Sequence, residues 1–245
     1  MLPPAPFHEL AGHFAIDLPG ARAVFTTRRG GGSAGPYAEL NLGFSTDDDP
    51  ASAARNRTRV LRDVGAPPAA FMYQIHSAEV RVLDDVEQSS ERVRVDGQAT
   101  TLHGIAPAAL GADCLPVAIA GGGAVAVVHA GWRGLHEGVI DAGVREVLRI
   151  TGAEATQLGA AVGPGAGPCC YEVGPDVHAR FTGYEHARAG DNLDLKAIAR
   201  AQLRQAGVGA IHDLGMCTIC APQLFFSHRR DAGVTGRQAG LAWLT

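Results

Sequence analysis

Two short apolar runs separated by three glycines place the strongest constraint on how this chain folds. The runs cover residues 117–120 and 124–129, and Gly121, Gly122 and Gly123 stand between them. Runs of this length bounded by turn residues predict a hairpin or two neighbouring buried strands. The second run ends at His129, so a side chain able to bind a metal lies at the edge of the predicted core.

Capping residues and helical periodicity predict three helices around these strands. Asp49 and Pro50 suit the N-cap and first position of a helix that runs to about residue 64 and stops before Gly65. Apolar residues at helical spacing predict a second helix over 135–150, and Asp194 caps a third over 194–205. The sequence also predicts further strands at 22–27, within 72–83, and at 157–163, 224–227 and 241–244. Together with the helices, they predict a mixed α/β architecture in one domain, residues 1–245.

The composition is that of a folded protein without a general affinity for polyanions. Hydrophobic residues make up 46% and charged residues 19% of the 245 residues, and the net charge is −4. We therefore expect no nucleic-acid or membrane partner, and any anionic substrate must be held by local arginines. Apolar runs fall short of the roughly 18 residues of a membrane helix, and residues 1–10 lack a secretory pattern, so a cytoplasmic location is expected.

Three residues suited to metal binding stand where predicted strands meet loops. They are His76, Cys114 and His129, and such strand ends are where α/β proteins place functional groups. Imidazole and thiolate suit Zn²⁺, and three protein ligands leave the fourth position open, as in catalytic zinc sites. Cu²⁺ accepts the same ligands. The wide spacing of the three residues leaves unrelated buried side chains as an alternative.

Other interpretations use the same residues. A metal-free cysteine hydrolase or amidase would use Cys114 as nucleophile and His129 as base, whereas only a zinc site also needs His76. A copper oxidase acting on phenols would need about ten His and Cys ligands in paired H-x-H motifs, and the sequence contains no H-x-H. A non-catalytic partner protein is a third possibility, against which three segments suited to an open metal site argue.

Arginines and cysteines form two further groups. Arg28, Arg133 and the pair at 229–230 accompany Gly-rich turns or strand ends, which suits phosphate binding, although solvated surface arginines are the alternative. Cys217 and Cys220 form a lone C-x-x-C, and a structural zinc would need a second pair, which the adjacent cysteines 169 and 170 could supply. We favour the interpretation of these four as buried thiols near the site. The remaining histidines, His228 among them, are interpreted as surface or structural.

Taken together, these motifs resemble the YfiH-type family, which was long labelled polyphenol oxidase or multicopper laccase domain and was later recognised as purine nucleoside phosphorylases. The match runs in order over nearly the whole chain. It includes Thr26-Thr27-Arg28, Leu40-Asn41-Leu42-Gly43, Asn56-Arg57, Gln74-Ile75-His76-Ser77, Asp96, Ala112-Asp113-Cys114-Leu115-Pro116, His129-Ala130-Gly131-Trp132-Arg133-Gly134, and residues 163–174 and 217–244.

The resemblance implies a compact α+β fold with mixed sheets sandwiched by helices, similar to the catalytic domain of cytotoxic necrotising factor. It implies that His76, Cys114 and His129 bind zinc. It also implies phosphorolysis of adenosine, inosine and S-methyl-5'-thioadenosine, with adenosine deamination as a second activity. The family has in addition been linked to quality control of cell-wall precursors, which fits the hydrolase and partner-protein alternatives.

Site roles follow from combining this resemblance with residue chemistry. Arg133 joins the three metal ligands as a catalytic residue and, with Arg28, is expected to bind phosphate. Asn41 and Gln74 are expected to hydrogen-bond ribose or base. Arg57 either binds substrate or docks its helix against the site.

Two carboxylates, Asp113 and Glu172, are expected to carry protons, and each would otherwise pair with an arginine or cap a helix. The expected partners are a purine nucleoside and phosphate. The expected assembly is a monomer or a small homo-oligomer.

Overall fold

The two apolar runs form the predicted hairpin, which lies at the centre of the fold. In a computed structural model that describes residues 2–90 and 92–245, β8 (Leu115–Gly121) pairs antiparallel with β9 (Ala124–Ala130). All residues of both strands are buried. Strands buried on both faces need a layer on each side. This requirement explains the rest of the architecture.

Two six-stranded mixed sheets face each other, and helices cover their outer faces. The first sheet has the order β1-β2-β3-β14-β7-β4, and the second has the order β13-β10-β8-β9-β6-β5. The remaining strands are β1 (His8–Leu10), β2 (His13–Leu18), β3 (Ala21–Phe25), β4 (Ala69–Phe71), β5 (Val80–Leu83), β6 (Gly97–Thr100), β7 (Ala106–Gly111), β10 (Gly159–Val162), β11 (Arg188–Ala189), β12 (Asn192–Leu193), β13 (Ala210–Asp213) and β14 (Gln238–Leu244).

The α-helices are α1 (Pro50–Val64), α2 (Trp132–Glu137), α3 (Val139–Thr151), α4 (Pro175–His178) and α5 (Leu195–Gln205). Alternate residues of the central hairpin serve different cores, as the two-residue period of a strand requires. Val117 and Val128 pack with α3 and α5, whereas Ala118 and Val127 pack against the first sheet. Helix α1 covers the opposite face of that first sheet.

The predicted α+β class, with mixed sheets between helices, is confirmed. Helix α1 has the predicted boundaries, because the Asp49 carboxylate accepts hydrogen bonds from two amides of the first turn and Gly65 ends the helix with a φ of 67°. Asp194 caps α5 as predicted. Within the described ranges, the protein has no helix long and apolar enough to cross a bilayer.

Two predicted elements are wrong. The helix predicted over 135–150 is two helices, because Gly138 adopts a φ of 88° and separates α2 from α3. The strand predicted at 224–227 is the end of a turn followed by backbone without regular secondary structure. There the amide and carbonyl of Phe226 bond to the side chain of Gln238 instead of to a neighbouring strand. Within 72–83, only β5 is a strand.

Candidate functional site

His76, Cys114 and His129 meet at one end of the central hairpin. His76 lies in the loop between β4 and β5, Cys114 in the turn between β7 and β8, and His129 next to the end of β9. The hairpin register opposes His129 to Pro116, which brings Cys114 beside it. The Cys114 Sγ lies 3.9 Å from the His76 Nε2. One ligand atom from each of the three residues falls within 4.8 Å of the other two.

Asp96 joins two of these residues through a carboxylate with no exposed surface. Its Oδ1 lies 2.8 Å from the His129 Nδ1, and its Oδ2 accepts bonds from the amides of Ile75 and Ser77 and from the Ser77 hydroxyl. His76 between those amides has a φ of 62°, a left-handed conformation that is unfavourable for histidine. The Asp96 carboxylate therefore fixes both the strained loop of His76 and the ring of His129.

The charges within this group favour a thiolate. Burial opposes ionisation of Cys114, but the positive charge of His129 and hydrogen bonds from both histidines outweigh it and lower the thiol pKa to about 6. Burial likewise opposes protonation of His129, but Cys114 and Asp96 outweigh it and raise the imidazole pKa to about 9. Without a metal, Cys114 and His129 thus form a thiolate–imidazolium pair.

The three side chains fit a tetrahedral metal ion. Bonds of about 2.0–2.3 Å from nitrogen and sulfur to zinc place two ligand atoms about 3.5 Å apart, close to the observed Cys114–His76 separation. Because the His129 Nδ1 bonds to Asp96, its Nε2 is the atom left for a metal, as in the carboxylate–histidine–zinc arrangement. A Cβ at Gly131 would approach within 2.8 Å of the Cys114 Sγ, so glycine is needed for this spacing.

The metal group lines a cavity of about 530 Å³. Aromatic side chains and four arginines form much of the remaining wall. Such a mixture offers faces for a flat ring and charges for an anion. The lining includes Phe44, Tyr73, Trp132 and Tyr171 among the aromatics, and Arg92, Arg133, Arg229 and Arg237.

Besides His76, Cys114 and His129, three of the expected substrate-binding or catalytic residues line this cavity. Arg133 is exposed there and stacks on Trp132, with its guanidinium carbon 4.2 Å from the ring centroid. Gln74 bonds through both amide atoms to the backbone of Leu110, which leaves it fixed in orientation. Asp113 accepts bonds from the Thr218 hydroxyl and from a backbone amide. Glu172 lines a neighbouring cavity of about 600 Å³.

The other three residues, Arg28, Asn41 and Arg57, lie outside the residues that line the cavity. Arg28 donates to the carbonyls of residues 38 and 222, and Asn41 is fully buried in hydrogen bonds with its own loop. Arg57 lies between two rings, with its guanidinium carbon 4.0 Å from the centroid of Phe44 and 3.7 Å from that of Phe71. Since Phe44 lines the cavity, Arg57 supports the wall from behind.

Sequence reasoning assigned no role to several residues that shape the site. The sequence identifies Asp96 only as one of the residues that carry the family resemblance, and it predicts no function for Tyr171 or Arg237. His228, interpreted as surface or structural, is exposed and also lines the cavity. An isolated aspartate or arginine carries no signal of its own, since its role depends on loops that meet only in the folded chain.

This fold and this site define a class: an α+β protein in which a His-Cys-His group, able to hold a metal ion, lies at one end of the central hairpin and opens to an arginine-lined cavity. The family of multi-copper polyphenol oxidoreductase laccases matches residues 22–245. The chain belongs to this family, and the resemblance found in the sequence is confirmed.

Its relatives are similar over nearly their whole length. A protein of Xylella fastidiosa named purine nucleoside phosphorylase is 42% identical, with 92% of this chain and 93% of that protein covered. A protein of the same name from Streptomyces coelicolor is 39% identical, with 92% and 96% covered. The structure of YfiH from Bacillus licheniformis is 28% identical, with 99% and 100% covered and a TM-score of 0.91.

Proposed function

We propose that this chain is a zinc-dependent purine nucleoside phosphorylase. It converts adenosine, inosine or S-methyl-5'-thioadenosine and phosphate to the free base and the corresponding ribose 1-phosphate, with adenosine deamination as a side activity. The observation that carries the proposal is the joining of a His-Cys-His group, aromatic faces and four arginines in one cavity. The names of the relatives from Xylella fastidiosa and Streptomyces coelicolor support the same activity.

Phosphate binding is assigned to arginines that reach the cavity. Arg133 keeps this predicted role, and Arg229 and Arg237 take the place of Arg28, whose guanidinium donates to backbone carbonyls and lies outside the residues that line the cavity. Arg229 is oriented on two sides. Its amide donates to Asp113, and its guanidinium donates to the carbonyl of Glu172 at 2.7 Å. Holding phosphate in line with the anomeric carbon makes attack effectively unimolecular.

The aromatic wall binds the purine, and the Tyr171 hydroxyl is the proton donor in that wall. Burial, followed by the charge of Cys114, raises the pKa of Tyr171 to about 12, so its hydroxyl stays protonated and donates to the leaving base. Both Asp113 oxygens accept protein hydrogen bonds, which assigns that residue to orienting Arg229. Glu172 remains a proton carrier from the neighbouring cavity.

His76, Cys114 and His129 would hold the metal. A bound Zn²⁺ supplies a Lewis acid at its open position, the chemistry that deamination of a purine requires. The bond to Asp96 keeps the proton of His129 on Nδ1, so Nε2 is unprotonated and its lone pair can bind the metal. The glycine at position 131 leaves room for the Cys114 sulfur.

The cysteine hydrolase alternative draws on the same ion pair. Cys114, His129 and Asp96 have the order of nucleophile, base and orienting carboxylate. The alternative gives no role to His76, although Asp96 bonds to the amides on both sides of that residue. We therefore favour the metal enzyme.

Phosphate-dependent release of adenine from adenosine tests the proposal, with hypoxanthine and inosine measured in the same chromatogram. We expect turnover that requires phosphate and is lost in His76→Ala together with one equivalent of zinc. His103→Ala, an exposed histidine away from the cavity, is the matched control and should retain both. Zinc-loaded protein that releases no base from any of the three nucleosides would contradict the proposal.

A further inference from the structure

The four cysteines interpreted from the sequence as buried thiols near the site are exposed or half-buried, and they meet outside the residues that line the catalytic cavity. Cys169 and Cys170 lie in the turn that follows Pro168, and Cys217 and Cys220 lie in the loop that follows β13. Sulfur atoms of Cys170 and Cys220 are 3.0 Å apart, those of Cys169 and Cys220 are 3.4 Å apart, and those of the adjacent pair are 3.6 Å apart. All four sulfurs lie within 4.8 Å of one another. The catalytic reaction uses none of them.

The four sulfurs lie close enough to share one tetrahedral ion, around which the three printed separations would lengthen by up to about 0.8 Å. Zinc–sulfur bonds of about 2.3 Å put the sulfurs of a four-thiolate site about 3.8 Å apart. A disulfide needs about 2.05 Å and pairs two sulfurs, whereas here the Cys220 sulfur approaches two others at once. Adjacent cysteines are an unusual pair for zinc, but the turn directs the sulfurs of both Cys169 and Cys170 towards Cys220.

The backbone around the C-x-x-C segment suits a thiolate. The Gly167 amide donates to the Cys217 sulfur at 3.2 Å. Amide groups arranged around a sulfur stabilise its negative charge. A Cβ at position 167 would meet the Cys217 Cβ at 3.1 Å and the Cys169 sulfur at 3.3 Å.

A positive charge lies beneath the group. Lys196, the only lysine of the chain, is 4% exposed, and its Nζ donates to the carbonyl of Gly165 at 2.8 Å. The same Gly165 forms a backbone bridge with Cys217, which places the ammonium near that thiol. A four-thiolate zinc site carries two negative charges, and a buried ammonium offsets part of that charge.

We propose that Cys169, Cys170, Cys217 and Cys220 bind a second zinc ion, distinct from the catalytic one and closed to substrate. Four thiols lose their protons to solvent as four sulfur–zinc bonds form, with no change of oxidation state. The ion joins the loop at 163–174 to the loop at 214–220, which a bridge between Gly165 and Cys217 already aligns. Those loops carry Tyr171 and lead to Arg229, so the ion fixes one wall of the catalytic cavity.

Metal analysis of the purified chain tests this inference without reference to activity. We expect two zinc ions in the native protein, one in Cys169→Ser/Cys220→Ser and one in Cys114→Ser. The Cys114→Ser variant is the matched control, because a substitution of the same type there removes the ion of the His-Cys-His group and leaves the four cysteines intact. A native protein with one zinc that persists in Cys169→Ser/Cys220→Ser would overturn the proposal, whatever nucleoside the enzyme turns over.

A second measurement keeps the test valid if the double variant fails to fold. Cobalt added to metal-depleted Cys114→Ser, whose four-cysteine group is intact, should give the strong thiolate-to-metal charge-transfer and visible bands of a tetrahedral sulfur site. Cys114→Ser purified without oxygen should show its four remaining thiols protected from alkylation until a chelator is added. Absence of these bands, or a mass lower by two hydrogens that reveals a disulfide, would refute the proposal.

Discussion

Replacement of Asp96 by asparagine should weaken both the fold and the metal site. Burial opposes ionisation of Asp96, but hydrogen bonds from His129, Ser77 and Ile75 outweigh it and lower the carboxyl pKa from 3.8 to about 2. That difference corresponds to about 2 kcal/mol of folding free energy at neutral pH. An asparagine also turns its NH₂ group towards a donor on one side of the network. With that buried mismatch, we expect the free energy of unfolding to fall by about 2–4 kcal/mol.

The same substitution should weaken zinc binding by about 10- to 100-fold, the usual effect of removing a carboxylate behind a histidine ligand. Urea unfolding of metal-free protein and competition with a zinc chelator measure the two effects. Asp141→Asn, which alters a largely exposed carboxylate in an ion pair with Arg145, is the matched control and should change neither. Because the folded-state pKa of Asp96 is depressed, its contribution is present above about pH 4 and is lost as the pH falls towards 2. Unchanged stability and zinc affinity in Asp96→Asn would refute the assigned role.

Three further predictions concern separate parts of the molecule. Gly131→Ala should reduce zinc affinity at least about tenfold, since its Cβ would lie 2.8 Å from the Cys114 sulfur. The backbone angles at this position (φ −78°, ψ 172°) suit alanine, so the effect is not one of backbone strain. Competition with a zinc chelator measures the loss of affinity, and retained affinity would contradict the prediction. Arg237→Lys should raise the KM for phosphate about tenfold and change the KM for adenosine less, because a planar guanidinium binds phosphate with two hydrogen bonds. Steady-state kinetics with each substrate varied in turn distinguishes this effect from a general loss of activity. Burial lowers the pKa of His13 to about 4, so the folded state keeps it neutral while the unfolded chain protonates it below about pH 6.5. The difference in His13 pKa between the folded and unfolded states therefore contributes up to about 3 kcal/mol to the free energy of unfolding above pH 6.5, and this contribution is lost as the pH falls towards 4. His13→Asn retains an acceptor for the Thr27 amide and should make the free energy of unfolding depend less on pH over that range. An unchanged pH dependence would refute the assignment.

The sequence predicts those elements that depend on local chemistry. The central hairpin, α1 and α5 follow from glycine breaks, an N-cap aspartate and helical spacing, all of which act within a few residues. The failures depend on distant partners. Residues 224–227 look like a strand because they are apolar, but the Gln238 side chain takes up the backbone bonds of Phe226. A side chain twelve positions away gives no signal in a local window.

The same division holds for the site. His76, Cys114 and His129 were found because histidine and cysteine at strand ends are unusual, and the structure brings them together. The arginines were harder to assign, because an arginine at a loop is compatible with a cavity, a stacking partner or solvent. Arg28 and Arg57 bond to backbone and rings outside the cavity lining, whereas Arg237 donates to two backbone carbonyls and also lines the cavity. Nothing local distinguishes these outcomes.

The family description names multi-copper oxidation, and the arrangement of ligands bears on that chemistry. Two histidines and one cysteine are also the ligand set of electron-transfer copper sites, so donor types alone do not select zinc. A multi-copper oxidase needs several histidine-rich centres, and the described residues contain two groups of three or more potential ligands, the His-Cys-His group and the four cysteines. The first opens to a cavity with four arginines, which suits an anionic co-substrate. Electron transfer needs no such cavity. The arginines therefore favour group transfer to phosphate over oxidation of a phenol.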